Sequence, residues 1–497
     1  MERTGSYWLA TKPDVRFAPL AGDLTVDVAV LGGGITGLTT ALLLKQAGKT
    51  VALVELRRVG HGVSGNTTAK LTSGHGLVYA KLARKHGPEV ARVYAASNEA
   101  GLAKIIELVE THAIECDFER SDNYVYGTAP AEVAQLREEA QAAQQAGLDA
   151  DFVGELALPF PVSGAVRLMD QAQFHPAKYL AALAELIDGD GSHVFEETRA
   201  TGVKAGDPST VSTSSGTLRA HDVVVATHLP FLDRGLYFAK AHPQMSYAVA
   251  APVESSPPEG MYLSISKPTR SIRTTPHDGG RLLVLGGEGH PAGRDEDTRR
   301  RYEALERDLA AWFDGARHYR WSAHDYVPVD GLPYIGRLTP RAKQLHVATG
   351  FAKWGLTKGT LAAMIVTDSI LGRPNPWAYA YDASRLDLTR SFAGLLTANA
   401  QIGARFVADR FNTHPLDAIS PGEGAVVRSG LSQLAVHRDD QGELHALSAR
   451  CTHLGCIVAW NNAERTWDCP CHGSRFDTDG RVLEGPATAD LEQRSVL

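Results

Sequence analysis

Cysteines and histidines with the spacing of metal ligands lie close together near the C-terminal end of the sequence. The segment CTHLGC (451–456) is followed, after 12 residues, by CPCHGS (469–474), and four of the five cysteines fall within these two segments. Such a group, in a chain with few other cysteines, indicates a metal centre. Two chemistries fit it: a tetrahedral zinc site, or an iron–sulfur cluster bound by two thiolates and two imidazoles. The fifth cysteine, Cys116, stands alone and is expected to be a buried apolar residue.

Zinc would use four of the six groups and leave two cysteines without a role. The two segments, together with GPA (485–487), resemble the Rieske proteins of the cytochrome bc complexes over residues 421–497. In that branch, a serine matching Ser474 donates a hydrogen bond to a cluster sulfur, and a tyrosine is common where this chain has Phe476. Because a lost donor lowers the potential of such a cluster, we expect a potential below that of the respiratory proteins. The resemblance implies that Cys451, His453, Cys469 and His472 bind a [2Fe–2S] cluster and that Cys456 and Cys471 form a disulfide.

A second site with chemical potential is a glycine-rich turn near the start of the chain. The sequence VDVAVLGGGITGLTTALLLKQAGKTVALVEL (26–56) predicts a strand, a tight turn, a helix and a second strand. Gly32, Gly34 and Gly37 have the dinucleotide-binding spacing, and Glu55 follows Gly34 by 21 residues. The glycines permit a pyrophosphate to approach the N-terminus of the helix, and the acid accepts hydrogen bonds from the ribose. The first helical residues, Ile35 and Thr36, are predicted to contact the same cofactor.

Four later segments distinguish FAD from NAD. GVSGNTTAKLTSGH (62–75), VVVATH (223–228), DGLPYIG (330–336) and ATGFAKWGLTKG (348–359) resemble the FAD-dependent D-amino-acid-oxidase-like superfamily, which includes glycine and sarcosine oxidases. The resemblance covers most of residues 24–375 and implies an α/β, Rossmann-like FAD domain with an interleaved α+β substrate domain. The further FAD contacts that it implies are Ser64, Asn66, Thr67, Gly336, Gly350, Gly355, Leu356 and Thr357.

The substrate side is less well defined by the sequence. By the same resemblance, Tyr247 and Arg273 contact the substrate, Arg273 as a bidentate clamp for a carboxylate. The pair Lys353-Trp354 replaces smaller or histidine-containing pairs of the family, and Lys353 is predicted to lie at the flavin or at the substrate entrance. The competing interpretation is that Tyr247 and Arg273 are ordinary sheet residues without contact to the substrate. For Lys353 it is that the side chain lies on the protein surface. Lys70 and His75 are new polar groups near the flavin, and His61 or His75 is either satisfied within the loop or linked covalently to FAD.

The elements that must position these groups divide the 497 residues into several domains. The C-terminal segment, with short strands and turns, is predicted to be all-β. A net charge of −7 and the lack of a basic run argue against nucleic acid. The sequence shows neither a secretory leader nor an apolar run long enough for a membrane span, so a soluble cytoplasmic protein is expected. The predicted units are an FAD domain (1–80, 156–235 and 321–375), a substrate domain (81–155 and 236–320), a helical connector (376–420) and a Rieske domain (421–497).

The two cofactors together predict a redox enzyme. A flavin accepts two electrons and a Rieske cluster passes one, so we expect oxidation of a small amine or amino-acid-like substrate by hydride transfer to FAD. Electrons then pass singly through the cluster to an external acceptor protein. The alternatives are an amine oxidase that uses oxygen and has an accessory cluster, and an electron-transfer or redox-sensing module without a small substrate. A Rieske oxygenase is not favoured, because only 25 residues follow His472 and no upstream set of two histidines and a carboxylate stands out.

Overall fold

The computed structural model describes residues 3–253, 258–295, 297–385, 414–430 and 432–495. The predicted helical connector falls mainly on residues 386–413, which lie outside the described residues. Its described beginning contains one short helix, Ala378–Tyr381. Among the described residues, no helix is both long enough and apolar enough to cross a membrane.

Helices and strands alternate through the first 380 residues, and short strands follow in the C-terminal part. The helices are α1 (Tyr7–Thr11), α2 (Ile35–Gln46), α3 (Tyr79–His86), α4 (Pro88–Thr111), α5 (Val133–Gln145), α6 (Pro176–Ile187), α7 (Tyr237–Lys240), α8 (Arg299–Phe313), α9 (Gly355–Ile370) and α10 (Ala378–Tyr381). The strands up to residue 225 are β1 (Arg3–Thr4), β2 (Leu24–Leu31), β3 (Val51–Val54), β4 (Lys70–Leu71), β5 (Glu119–Arg120), β6 (Asn123–Gly127), β7 (Ala150–Val153), β8 (Gly164–Leu168), β9 (Ala172–Gln173), β10 (His193–Phe195), β11 (Ala200–Lys204), β12 (Ser209–Thr213) and β13 (Thr217–Val225). The later strands are β14 (Ala241–Val253), β15 (Met261–Ser264), β16 (Arg270–His277), β17 (Gly280–Pro291), β18 (Tyr319–Pro328), β19 (Tyr334–Arg337), β20 (Leu345–Thr349), β21 (Gly424–Ser429), β22 (Ser432–Arg438), β23 (Leu444–Ser448), β24 (Ala459–Asn461), β25 (Thr466–Asp468), β26 (Arg475–Phe476), β27 (Val482–Glu484) and β28 (Gln493–Arg494).

The glycine-rich turn belongs to an eight-stranded sheet with the order β10-β3-β2-β13-β12-β11, in which β20 also pairs with β13 and β19 with β20. Strand β2 runs parallel to both β3 and β13, with Val30 opposite Leu53 on one side and Val224 on the other. Its apolar run is buried from Val28 to Leu31, as expected for a parallel strand that is covered on both faces. Helices α2 and α9 pack side by side against this sheet, which confirms the predicted Rossmann-like class.

A nine-stranded sheet stands beside it, with the order β1-β18-β14-β17-β16-β15-β6-β8-β7. Strands β14, β17 and β16 form its long antiparallel centre. The predicted domain boundaries differ from the strand pairing at three places, since β1, β8 and β18 lie in segments that we assigned to the FAD domain but pair in this sheet. Alternating hydrophobicity identifies a strand but does not say which of two sheets it joins, and this limits the prediction of interleaved domains.

The C-terminal part forms two four-stranded sheets, β21-β22-β23-β28 and β24-β25-β26-β27, in agreement with the predicted all-β class. It packs directly on the rest of the chain. The Thr298 hydroxyl, just before α8, lies 2.7 Å from Oδ1 of Asn461, and Arg199 pairs with Asp490 at 2.8 Å. Tyr302 donates a hydrogen bond to Glu464 at 2.5 Å. These polar contacts fix the position of the C-terminal sheets against the nine-stranded sheet and the edge of the FAD sheet.

Candidate active site and metal centre

A cavity of about 750 Å³ opens at the carboxyl ends of β2 and β3, between the two large sheets. The carboxyl ends of parallel strands are the usual ligand site of such folds. The predicted cofactor residues that line the cavity are Gly32, Gly34, Ile35, Thr36, Glu55, Ser64, Asn66, Thr67, Gly355 and Leu356.

The glycine-rich turn has the geometry that a pyrophosphate requires. Gly34 precedes the first residue of α2 and has no side chain to cap the helix, while the Ser64 hydroxyl accepts a hydrogen bond from the Ile35 amide at 3.1 Å. Glu55 accepts from the Gly33 amide at 2.7 Å, and burial raises the pKa of this carboxyl. The positive end of α2 therefore faces the cavity, where it favours an anion.

Four predicted cofactor residues do not line the cavity: Gly37, Gly336, Gly350 and Thr357. Gly37 lies behind the turn, where a Cβ atom would overlap the carbonyl oxygen of Gly32. Gly350 has a φ of +80°, and a Cβ there would approach the Pro328 ring. The Thr357 hydroxyl points to the Thr72 carbonyl at 3.3 Å. Gly37 and Gly350 thus shape the turns that surround the cavity, and the FAD contacts predicted for these four positions remain predictions.

On the substrate side, Tyr247 and Lys353 both line the cavity. The Tyr247 hydroxyl lies 3.0 Å from Nε2 of His290, and the Lys353 ammonium donates to the Ser246 hydroxyl at 2.6 Å. Burial lowers the pKa of Lys353. Ala352 and Lys353 both have positive φ values, of 53° and 71°, and this turn directs Lys353 into the cavity just before α9 begins.

Arg273 is placed differently from the prediction. Its side chain is buried outside the cavity, and its guanidinium donates to backbone carbonyls, including those of Ala69 at 2.5 Å and Phe174 at 3.3 Å. A guanidinium with these partners ties the flavin loop to the nine-stranded sheet, so the structure contradicts a substrate clamp at this position. Neither His61 nor His75 lines the cavity, and both ring nitrogens of His75 have partners, the Tyr94 hydroxyl at 2.5 Å and the Thr72 carbonyl at 2.7 Å.

The two cysteine- and histidine-containing loops meet at the tip of the C-terminal part. The thiols of Cys451 and Cys469 face each other, and the Ser474 hydroxyl is in hydrogen-bond contact with Cys451. The rings of His453 and His472 lie 5.0 Å apart and perpendicular to each other. The predicted disulfide between Cys456 and Cys471 is present. Their sulfurs lie within 4.8 Å of that of Cys469, but the disulfide leaves only Cys469 free to bind iron among these three.

These residues fit a [2Fe–2S] cluster. Two buried thiols and two imidazoles converge, and Nδ1 of His453 is buried without a hydrogen-bond partner. Iron bound at this nitrogen would supply the partner that it lacks. Burial also lowers the pKa of His472 to about 3, which keeps the ring in the neutral form that binds a metal. Phe476 is fully buried beside the site and offers no hydroxyl. The lowered reduction potential of the cluster, which we inferred from this residue, remains a prediction.

Removal of the disulfide should weaken this unit measurably. The bond joins residues 15 apart, and closure of a loop of that length contributes about 3 kcal/mol. We expect the double variant Cys456→Ala/Cys471→Ala to unfold its C-terminal part at a lower denaturant concentration, by about that free energy. Loss of cluster absorbance during denaturation measures the effect, with Cys116→Ala as the control. A midpoint equal to that of the control would contradict a clamping role.

The sequence did not predict that the C-terminal part closes one side of the flavin cavity. Tyr326 joins the two sites, because its hydroxyl donates to the His472 carbonyl at 2.8 Å and lies 3.2 Å from Nε2 of His324. The contact with His472 joins residues that are 146 apart in the chain and lie in different domains, and no local pattern could show it. The residues of the C-terminal part that line the cavity, which we call the Rieske wall, are Leu483, Glu484, Gly485, Ala487 and Thr488.

His228, His324 and Glu484 bring their ligand atoms within 4.8 Å of one another at this wall, which is a set that we did not find in the sequence. Both imidazoles already have carboxylate partners. His228 contacts Asp325 at 3.0 Å, and Nδ1 of His324 contacts a carboxylate oxygen of Glu484. Burial alone would raise the pKa of Glu484, but His324 and Arg475 hold it well below its usual value. We therefore describe the group as two histidine–carboxylate contacts between the cavity and the cluster loops.

Comparison with known proteins agrees with both sites. Residues 27–369 match the family of FAD dependent oxidoreductases, and residues 411–495 match the Rieske [2Fe-2S] domain. The Rieske 2Fe-2S iron-sulfur protein YhfW of Bacillus subtilis (strain 168) is 36% identical over 99% of this chain and 98% of its own length. Gamma-glutamylputrescine oxidoreductase of Escherichia coli (strain K12) is 25% identical over 79% of this chain and 92% of its own. The crystal structure of glycine oxidase from Geobacillus kaustophilus superposes with a TM-score of 0.63 at 20% identity, covering 73% of this chain and 99% of that one.

The fold and the two sites define a flavoprotein that has an iron–sulfur domain on the same chain. The chain belongs to the FAD-dependent oxidoreductase family and ends in a Rieske domain, an arrangement that the full-length match to the Bacillus relative shares. It is an FAD-dependent oxidoreductase with two cofactors, FAD and a [2Fe–2S] cluster.

Proposed function

We propose that this enzyme oxidises a small amine or amino-acid-like substrate by hydride transfer to FAD and passes the electrons singly through the Rieske cluster to an external acceptor protein. The observation that carries the proposal is the shared wall: Glu484 and Gly485 of the Rieske domain line the same cavity as the glycine-rich turn. The Tyr326 hydroxyl, 2.8 Å from the carbonyl of the ligand His472, continues the contact to the cluster loops.

Bound FAD would accept the hydride and the bound cluster would transfer single electrons, while the protein positions the substrate and both cofactors. Lys353 and Ser246 form a polar pair inside the cavity, and the described residues include no carboxylate in an ion pair with Lys353. The ammonium is therefore available to a carboxylate or to the flavin. Trp354 and Leu356 give the remainder of this side an apolar surface, which excludes water from the reacting carbon.

The substrate class is supported by the names of the relatives. One is a gamma-glutamylputrescine oxidoreductase, and the crystal structure reported above is a glycine oxidase. A polyamine derivative and an amino acid both have an amine nitrogen bonded to a carbon that bears hydrogen. We assign that bond as the one oxidised here.

Anaerobic titration of the purified holoenzyme with a panel of amines and amino acids tests the proposal. The expected result is bleaching of the flavin absorbance together with the EPR signal of the reduced cluster. Flavin bleaching without cluster reduction would overturn the relay, and rapid reoxidation by air at an unchanged rate after cluster loss would favour an oxidase. If no compound bleaches the flavin, the protein is a redox module without a small substrate.

Replacement of Lys353 by methionine should impair oxidation of carboxylate-bearing substrates. A lost charge-assisted hydrogen bond costs about 1.5–3 kcal/mol, which corresponds to a roughly 10- to 150-fold lower kcat/KM. Steady-state kinetics with an amino acid and with its decarboxylated amine measure the effect. The exposed Lys343, outside the cavity, provides the matched control Lys343→Met. An equal loss for both substrates would place Lys353 at the flavin and not at the substrate.

A further inference from the structure

One ligand histidine of the cluster is in contact with a carboxylate from a distant part of the chain. Nε2 of His453 lies 3.0 Å from Oδ1 of Asp233, which precedes it by 220 residues. Asp233 begins a short 3₁₀ turn, Asp233–Gly235, that follows the FAD sheet and leads into α7. The Rieske domain does not contain this acid, so its contact depends on the packing of the two domains against each other.

The geometry at His453 assigns a role to each ring nitrogen. Nδ1 is buried without a hydrogen-bond partner among the described residues, and it is therefore the nitrogen available to iron. Nε2 then carries the proton and donates it to Asp233. An imidazole that binds a metal through one nitrogen and donates to a carboxylate through the other is a stronger electron donor to the metal.

The same loop contacts both histidine ligands. The ring of Phe238, in α7, lies 5.9 Å from that of His453 and 5.2 Å from that of His472, at an interplanar angle of 77° to each. The Asp233 side chain is 52% exposed, and among the described residues it forms no ion pair with a lysine or an arginine. Its negative charge therefore acts on the cluster across a single imidazole.

We propose that Asp233 is a positioning residue that lowers the reduction potential of the cluster. A negative charge next to a ligand stabilises the oxidised cluster, which carries one positive charge more than the reduced cluster. The FAD domain thereby tunes a cluster that it does not bind. The inference does not depend on the identity of the substrate, because the potential is measured without one.

EPR-monitored titration of the full-length holoenzyme with dithionite and mediators, at fixed pH, tests the proposal in Asp233→Asn. We expect the equilibrium for cluster reduction to become about tenfold more favourable, a rise of 59 mV for one electron. Asp233→Glu retains the carboxylate and should stay nearer the wild-type potential. Asp440→Asn is the matched control, since Asp440 is an exposed acid of the Rieske domain that pairs with Arg465 at 2.9 Å.

Pulsed EPR of the reduced cluster gives a second measure, the coupling of the remote His453 nitrogen, which should change in Asp233→Asn and not in Asp440→Asn. Equal potentials in these two variants would overturn the proposal. If Asp233→Asn loses its cluster, Asp233→Ser is measured in its place. Loss of the cluster in both would also overturn the proposal, because it would show that Asp233 retains the cluster and does not tune it.

Discussion

Alanine at Gly37 is expected to produce a protein that binds FAD poorly. Gly37 is in the first turn of α2, and its Cα faces the glycine-rich turn so closely that a Cβ would overlap the Gly32 carbonyl oxygen. The neighbours are backbone atoms, which cannot rotate away, so the helix must shift from the strand. An overpacking of this kind costs about 2–3 kcal/mol, and FAD affinity should fall roughly 30- to 150-fold. Fluorescence titration of the deflavinated protein with FAD measures the change.

Gly202 provides the control for this substitution. It lies in β11 of the same sheet, and a Cβ there meets no atom nearer than the Ser212 Cβ at 4.0 Å. Gly202→Ala should therefore bind FAD as the wild type does. Equal affinities for Gly37→Ala and the wild type would show that the helix does not need this close approach, and the predicted role of the third glycine would then be wrong.

Local patterns predicted the glycine-rich turn and the two cluster loops, because each of these features is formed by residues that are close in the sequence. The turn from Gly32 to Ile35 joins strand β2 to helix α2, which follow each other in the sequence. In a parallel sheet, a turn between a strand and the next helix lies at the carboxyl end of that strand. The loops of Cys451 and Cys469 are likewise neighbours in sequence. For such sites, the spacing of residue types already contains most of the geometry.

Contacts between domains could not be predicted in this way. Arg273 has the right residue type for a carboxylate clamp, but whether its side chain faces the cavity or the loop behind it depends on the side of β16 on which it lies. The register of the strand decides which face Arg273 occupies, and the sequence of β16 was compatible with either face.

The contacts of Asp233 with His453 and of Tyr326 with His472 depend on the docking of the Rieske domain. No single segment of the sequence contains both partners.

Serine at Cys469 should remove the cluster and leave the flavin. Cys469 is buried, and its thiol faces that of Cys451, so the variant loses one of two thiolate ligands. Iron and acid-labile sulfide should fall to background, while the FAD absorbance remains. If the cluster is the exit for electrons, an amine should still bleach the flavin under anaerobic conditions. Reduction of cytochrome c, a one-electron acceptor, should fall to the rate of the enzyme-free reaction, because the flavin cavity is closed on that side by the Rieske wall.

Cys116→Ser is the matched control, since Cys116 is a buried free thiol outside both sites, and burial raises its pKa to about 12. It should retain both cofactors and the wild-type rate of cytochrome c reduction. The informative comparison is between acceptors. If Cys469→Ser oxidises the amine with oxygen as fast as the control does, while it no longer reduces cytochrome c, the flavin reacts with oxygen directly and the cluster serves a separate acceptor. Unchanged reduction of cytochrome c would instead remove the cluster from the electron path, and the shared wall would then have a structural role only.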